Sequence, residues 1–420
     1  MEIAALSLIA LVVVVVISCV NQRLNPGLLA LLAAVIIGFF FGEMSIHSLI
    51  LFFPSSLFLL LISMSLVFGT AQVNGTLEKV TQRAVYLIKG RYLLLPVLIF
   101  ILAFLLSALG PGNIVATAIL APMAMVLAKK HKISEILIAI MLCTGANAGA
   151  FSPFAPTGVV TIGLLEQISV STNLIWTVFI AAAVLQSTSA LFAYIIFLMR
   201  VKKRGTVMTV QQEAKSVVSI EPFSARQKLT LILIVVLLLG VLVAKLPLIL
   251  MALLVAVAMF LFNLSEEEKV IQTIPWSTIL MVSGIAVLIG LMEKTGGLDL
   301  ATNFIASVTS SQFISGALAF VSGLVSAYSS SSGVVLPAFL PLIPGLALKM
   351  NITDIVPMII AVAVGSHMVD VSPLSTLGAL SIAAVEQKSS RDRMFKYLMI
   401  WGMSMSVVAG VIAFVFLDLM

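Results

Sequence analysis

The sequence predicts an all-α polytopic membrane protein made of two inverted-topology repeats, each with five transmembrane helices, one re-entrant hairpin and one broken helix. Three observations carry that expectation: composition, a doubled series of apolar segments, and the sorting of basic residues between loops. Of 420 residues, 61% are hydrophobic and only 10% are charged, whereas a soluble domain carries about 25% charged residues. At roughly 20 apolar residues per spanning helix, this content fills around ten to twelve spans. The net charge of +6 would suit a nucleic-acid partner, but no polar domain exists to carry a basic stripe. The two cysteines, Cys19 and Cys143, sit inside apolar runs and suggest neither a disulfide framework nor a metal site.

The N-terminal apolar run starts with Glu2 and is followed by Arg23. That charge order and its length predict an uncleaved first span instead of a signal peptide. Apolar segments follow at 26–42, 54–73, 92–109, 114–128, 135–165 and 174–199, then a polar stretch to 227. The series recurs at 229–244, 246–263, 276–292, 311–328, 333–348, 355–385 and 397–417. A shift of 219 to 222 positions superposes the punctuation as well. Pro54, Gly69 and Gly75 match Pro275, Gly290 and Gly296; Pro122 and Lys130 match Pro341 and Lys349; Gly145, Ser152, Pro153 and Gly158 match Gly365, Ser372, Pro373 and Gly378. The first repeat therefore occupies 1–200, with scaffold helices in 1–73, a re-entrant hairpin at 91–130, a broken helix at 134–166 and a helix at 173–200. A cytoplasmic linker covers 201–227. The second repeat, 228–420, has scaffold helices in 228–293, a hairpin at 310–349, a broken helix at 354–386 and a helix at 396–418.

The hairpins are predicted because their arms are short and joined by GPGN (110–113) and SSSSG (329–333), with no charge between them. A loop reaching water would normally carry charge. Five true spans per half then turn the second half upside down. With the linker placed inside, 20 of the 23 Lys and Arg fall in inside loops, leaving only Lys245, Lys294 and Lys349 outside. That separation follows the preference of basic residues for the cytoplasm, and it puts both termini outside.

The segments holding GANAGAFSPFAPTG (145–158) and GSHMVDVSPLSTLG (365–378) are expected to unwind, since Ser-Pro and clustered Gly disfavour helix. Unwound backbone is tolerated in a membrane where it is buried in protein or lines a cavity. Two hairpin tips and two breaks at one depth imply a binding site, with helix N-termini facing an anion and freed carbonyls facing cations. His367 and Asp370 are the ionisable residues at that depth; counting about 1.5 Å per residue from Ile355 places His367 about 18 Å in. An intramembrane ionisable residue is a functional candidate. No Lys or Arg lies nearby in sequence, so a bound anion needs helix N-termini, hydroxyls, Asn113, His367 and co-bound cations. Each Na+ can take oxygen ligands from loop carbonyls, Asn113, Asn147, Ser331, Ser332 and Asp370.

These features resemble the ion transporter superfamily, specifically the divalent-anion:sodium symporters and the bacterial MatC-type malonate and dicarboxylate carriers. The likeness covers nearly the whole chain and is most specific at GPGNIVATAILAPM (110–123), FSPFAPTG (151–158), SSSSGVVLPAFLPL (329–342) and VDVSPLSTLGAL (369–380). In the symporters a Ser-Asn-Thr signature stands ten residues before a Pro in each hairpin. Here that position holds Gly112, Asn113 and Ile114 before Pro122, and Ser331, Ser332 and Gly333 before Pro341. Only Asn113 and Ser331 keep the pattern, which points to the carrier branch. The resemblance implies an elevator-type transporter working as a homodimer in the inner membrane, with no resident cofactor and with Na+ as a co-bound, transported ion. It implies substrate contacts from Gly112, Asn113, Ser152, Pro156, Thr157, Ser331, Ser332, Gly333, His367, Ser372, Ser375 and Thr376. Cation contacts are implied from Asn113, Gly145, Asn147, Gly149, Ser330, Ser331, Gly365 and Asp370.

The expected function is secondary transport of a small dicarboxylate coupled to Na+ or H+. A cation/proton antiporter relying on Asp370 and His367 is the alternative, and an intramembrane serine protease using Ser329–Ser332 with His367 a remote one. SEEEK (265–269) reads as a capped helix start, and 210–228 as a surface linker.

Overall fold

The computed structural model describes residues 2–20, 24–86, 92–203, 222–385 and 387–418. Most of the linker lies outside these residues, together with Arg23, Lys89, Arg91, Arg204 and Lys215. Every regular element among the described residues is helical. In lipid each backbone N–H and C=O must be paired within its own segment, and a helix does this without neighbours. Among the described residues, seven helices are long and apolar enough to cross a membrane, and seven shorter apolar ones accompany them. The chain is a multi-pass helical membrane protein.

Before the linker the order is α1 (Glu2–Val20), α2 (Pro26–Ile36), a short helix Ile46–Ile50, α3 (Ser55–Val73), α4 (Thr76–Tyr86), α5 (Leu95–Ala108), α6 (Gly112–Lys130), α7 (Glu135–Ala150), α8 (Pro156–Gln167) and α9 (Leu174–Lys203). After it come α10 (Ala225–Leu242), α11 (Leu248–Leu261), a short helix Glu267–Thr273, α12 (Trp276–Thr295), α13 (Gly297–Val308) and α14 (Ile314–Ser326). The chain continues with α15 (Ser331–Met350), then α16 (Val356–Met368), α17 (Thr376–Ala383) and α18 (Lys388–Ala413). The two halves run in the same order. The surface helices α4 and α13 do not stand out in the hydropathy pattern, because each is short and carries polar residues on one side.

Side chains set several of the starts. Asn25 accepts from Gly27 N (2.9 Å) ahead of Pro26, and Ser134 accepts from Leu137 N (3.4 Å) at α7. Ser224 and Gln227 form a reciprocal box at α10; such caps satisfy N–H groups that have no partner inside the helix. The SEEEK stretch behaves differently from its expected cap: Glu266 occupies the cap position without a side-chain bond to the backbone and pairs instead with Lys269 at 2.8 Å. α15 alternates between π, α and 3-10 turns, since Pro337, Pro341 and Pro344 each remove an N–H from the ladder.

The breaks lie later than the glycine pattern suggests. α7 continues through Gly145, Asn147 and Gly149 to Ala150, and α16 continues through Gly365 to Met368; the chain unwinds at 151–155 and 369–375. The glycines serve packing. α5 lies along α7 and α14 along α16, so closely that a Cβ on Gly145 would stand 2.4 Å from Phe100 O and one on Gly365 2.4 Å from Ala319 O. Small residues allow such approach between membrane helices. Gly365→Ala is expected to cost about 1–3 kcal/mol by overpacking, visible as a lower thermal midpoint in detergent. An unchanged midpoint would mean that the α14–α16 contact is loose.

Two apolar clusters result. The smaller joins α1, α2, α12 and α15 through Leu11, Ala30, Leu288 and Val334; the larger holds the hairpins, the broken helices and the remainder. Helix α3 packs on α8, and α12 packs on α15. Across the halves, α17 lies against α6, and α8 touches α15. Each broken helix therefore meets the hairpin of the opposite half. Large apolar side chains are exposed on α1, α9, α10, α11 and α18, as a lipid-facing surface requires.

Candidate functional site

The first hairpin turns at Gly110 and enters α6 at Gly112, whose φ of +81° favours a residue without a side chain. A Cβ at Gly112 would also lie 2.7 Å from Pro156 Cδ, so the hairpin tip is seated on the start of α8. One residue on, Asn113 is 8% exposed. Its Oδ1 accepts from Ile114 N (3.0 Å), and its Nδ2 donates to Asn147 Oδ1 (2.8 Å). Asn147 in turn donates from Nδ2 to the carbonyl of His367 (2.9 Å), which also accepts from Gln186 Nε2 (3.0 Å). This neutral relay ties hairpin one, α7 and α9 to α16 across the two halves. Both Asn side-chain oxygens already face N–H donors.

The second tip has the opposite balance. Ser326 ends α14, Ser331 begins α15, and Asp370 lies in the break beyond α16. Ser331 Oγ is 2.8 and 2.9 Å from the two Asp370 carboxylate oxygens, 3.3 Å from Ser366 O and 2.6 Å from Ser326 Oγ. Ser326 Oγ also donates to Asp370 Oδ1 at 3.2 Å. Five oxygens thus share two hydroxyl protons, and two of them belong to a carboxylate. An alkali cation or an added proton suits such a cluster, because hard cations take oxygen ligands and buried charge requires pairing.

Ser375 shapes the same break. It accepts from Gly378 N (3.5 Å) as the cap of α17, donates to Ser372 O (2.8 Å) and contacts Asp370 O. Ser152 and Ser372 accept from Phe154 N and Leu374 N, each at 3.4 Å. These i to i+2 bonds satisfy backbone freed by unwinding. Ser330 likewise caps the start of α15 by accepting from Gly333 N at 3.1 Å.

His367 is fully enclosed, its ring centroid 4.4 Å from that of Phe151. Nδ1 lies 3.1 Å from Ala363 O and 3.0 Å from Ser366 Oγ. A carbonyl can only accept, so Nδ1 carries the proton and Nε2 presents a lone pair. Nε2 has no partner among the described residues. In this tautomer His367 meets a donor, such as a protonated acid, in preference to a bare carboxylate.

The structure thus brings together Gly112, Asn113, Asn147, Pro156 and His367 at one tip, and Ser330, Ser331, Gly333, Asp370, Ser372 and Ser375 around the other. Thr157 is buried next to Pro156, and Ser332 is half-buried at the second tip. Thr376 is exposed at the first position of α17, one residue past the Ser375 cap. Gly145, Gly149 and Gly365 sit within helices at packing contacts. Three residues went unnoticed in the sequence: Gln186, Ser326 and Ser366. Gln186 did leave a signal, as a buried amide in a long apolar helix. The serines had none, being common in membrane helices and distant in sequence from their partner.

No curated protein matches the chain. Residues 1–150, which run from α1 to the end of α7 and include Asn113 and Asn147, match the family model for the dicarboxylate carrier protein MatC N-terminus. Over this stretch the chain is similar to the N-terminal region of the dicarboxylate carrier protein MatC.

Proposed function

We propose that the protein is a secondary carrier of small dicarboxylates, C3–C4 dianions such as malonate or succinate, coupled to Na+ or H+ in the inner membrane. The observation that carries the coupling is the oxygen cluster of Ser326, Ser331, Ser366 and Asp370, which has more acceptors than protons. A cation or proton held there offsets the charge of an anion bound between the tips. The N-termini of α6, α8, α15 and α17 converge on this region and favour negative charge. His367 Nε2 accepts a hydrogen bond from a protonated carboxyl or a hydroxyl of the substrate.

The same element order in both halves supports a duplication, and the sorting of Lys and Arg between loops supports the inverted orientation with the linker cytoplasmic and both termini outside. The hairpins and broken helices form a transport unit that slides as an elevator against α1–α3 and α10–α12, the latter serving as the scaffold of a homodimer. Labelled malonate and succinate uptake into proteoliposomes tests the reading. At fixed pH an inward Na+ gradient, or at fixed Na+ an inward proton gradient, is expected to drive accumulation. Cation movement with neither dicarboxylate carried would replace this reading with that of a cation/proton antiporter using Asp370 and His367.

A further inference from the structure

A cleft of about 200 Å³ opens away from the hairpin tips, where the α6–α7 turn meets the start of α18. Its rim carries Lys129, Lys132 and Arg393, with Ser134 and Ser390 between them and Glu135 as the acid in the lining. The turn is fixed: His131 N bonds Leu127 O (3.0 Å), Ile133 N bonds Ala128 O (2.9 Å), and Lys132 takes a left-handed φ of +54°. This closing motif pins the Lys132 backbone at the rim. Below the charges, Ala128, Ile133 and Met394 form a buried apolar floor. In sequence, Lys130 adjoins Lys129, and Lys388, Arg391 and Lys396 share α18 with Arg393, as does Asp392. His131 stays below its ordinary pKa through burial and the adjacent Lys130, so the cationic character rests on Lys and Arg.

The geometry points to a binding site for the phosphate headgroup of an anionic phospholipid, with its diester on Lys129, Lys132 and Arg393 and its glycerol on the apolar floor. The basic rim and greasy base fit an amphiphile better than a free anion. Basic pockets between membrane helices bind such headgroups, and the cytoplasmic leaflet supplies them; the choice of leaflet rests on the charge-based orientation proposed above. A lipid seated there bridges the end of hairpin one remote from its tip to α18.

The test uses the full-length protein in neutral detergent and follows thermal unfolding, a readout independent of transport. Short-chain phosphatidylglycerol is expected to raise the midpoint saturably, whereas phosphatidylcholine of the same chain length leaves it unchanged. In Lys129→Gln/Lys132→Gln/Arg393→Gln the apparent affinity is expected to fall about tenfold or more. Lys245→Gln/Lys294→Gln, which removes charge elsewhere, keeps it. A phosphatidylglycerol response that survives the triple substitution, or an equal response to phosphatidylcholine, overturns the proposal. Inorganic phosphate reaching the same plateau at a similar concentration also overturns the lipid assignment and makes the occupant a free anion. If the triple variant does not fold, Arg393→Gln alone still must weaken the response.

Discussion

Asp370→Asn is expected to abolish gradient-driven dicarboxylate accumulation while leaving the protein folded. The substitution keeps volume and planarity, and the new amide can donate to Ser326 or Ser331, whose hydroxyls accept as well as donate. Packing around the break is therefore retained. What disappears is the negative charge in a cluster whose other oxygens belong to Ser326, Ser331 and Ser366. Removing one partner of a buried ionic pair costs about 3–5 kcal/mol, roughly two to four decades in cation affinity. Isotopic uptake with and without the gradient reads the loss, and the thermal midpoint checks folding. Asp370→Glu, which restores the charge on a longer stem, is expected to recover a fraction of activity. Unimpaired gradient-driven accumulation in the Asn variant would remove Asp370 from the coupling site.

The general outline was legible in the sequence because membrane proteins expose their plan through hydropathy and scarce charges. The all-helical architecture and the number of apolar segments followed from those signals. Glycine was the ambiguous letter. Gly145 and Gly365 sit next to Ser-Pro sequences and read as helix breakers, yet both are helical and exist to admit Phe100 and Ala319. Close packing and unwinding use the same residue, and only the three-dimensional neighbour distinguishes them. The polar network was less readable. Asn113 and Asn147 are 34 residues apart, and Ser326 and Asp370 are 44 apart, so no local spacing pairs them. His367 was visible as an ionisable group at depth, but its role as an acceptor depends on Ala363 O fixing the tautomer. Ser375 and Thr376, adjacent hydroxyls in the sequence, differ in surroundings: the first is buried and caps α17, the second is exposed.

Asn113→Ala is the second substitution with a large expected effect, for a different physical reason. No charge is involved. Asn113 is the hairpin-one member of a relay that passes through Asn147 to the His367 carbonyl, where Gln186 also ends. Truncation leaves Asn147 Oδ1 without its donor at a fully buried position, and an unsatisfied buried polar group costs about 1–3 kcal/mol. The same change strips the bond to Ile114 N that steadies the first turn of α6. The tip then loses its alignment with both broken helices, so uptake is expected to fall by at least about tenfold, matching roughly 1.4 kcal/mol or more in binding, with expression intact. Asn113→Asp separates shape from chemistry: it preserves the outline and the bond to Ile114 N but cannot donate to Asn147 when ionised. It should therefore resemble Ala, while Thr376→Ala, at an exposed hydroxyl, should transport like the unsubstituted protein. If the Asp variant transports normally, the relay is dispensable; if Thr376→Ala fails and Asn113→Ala does not, the substrate lies on the other side of the break.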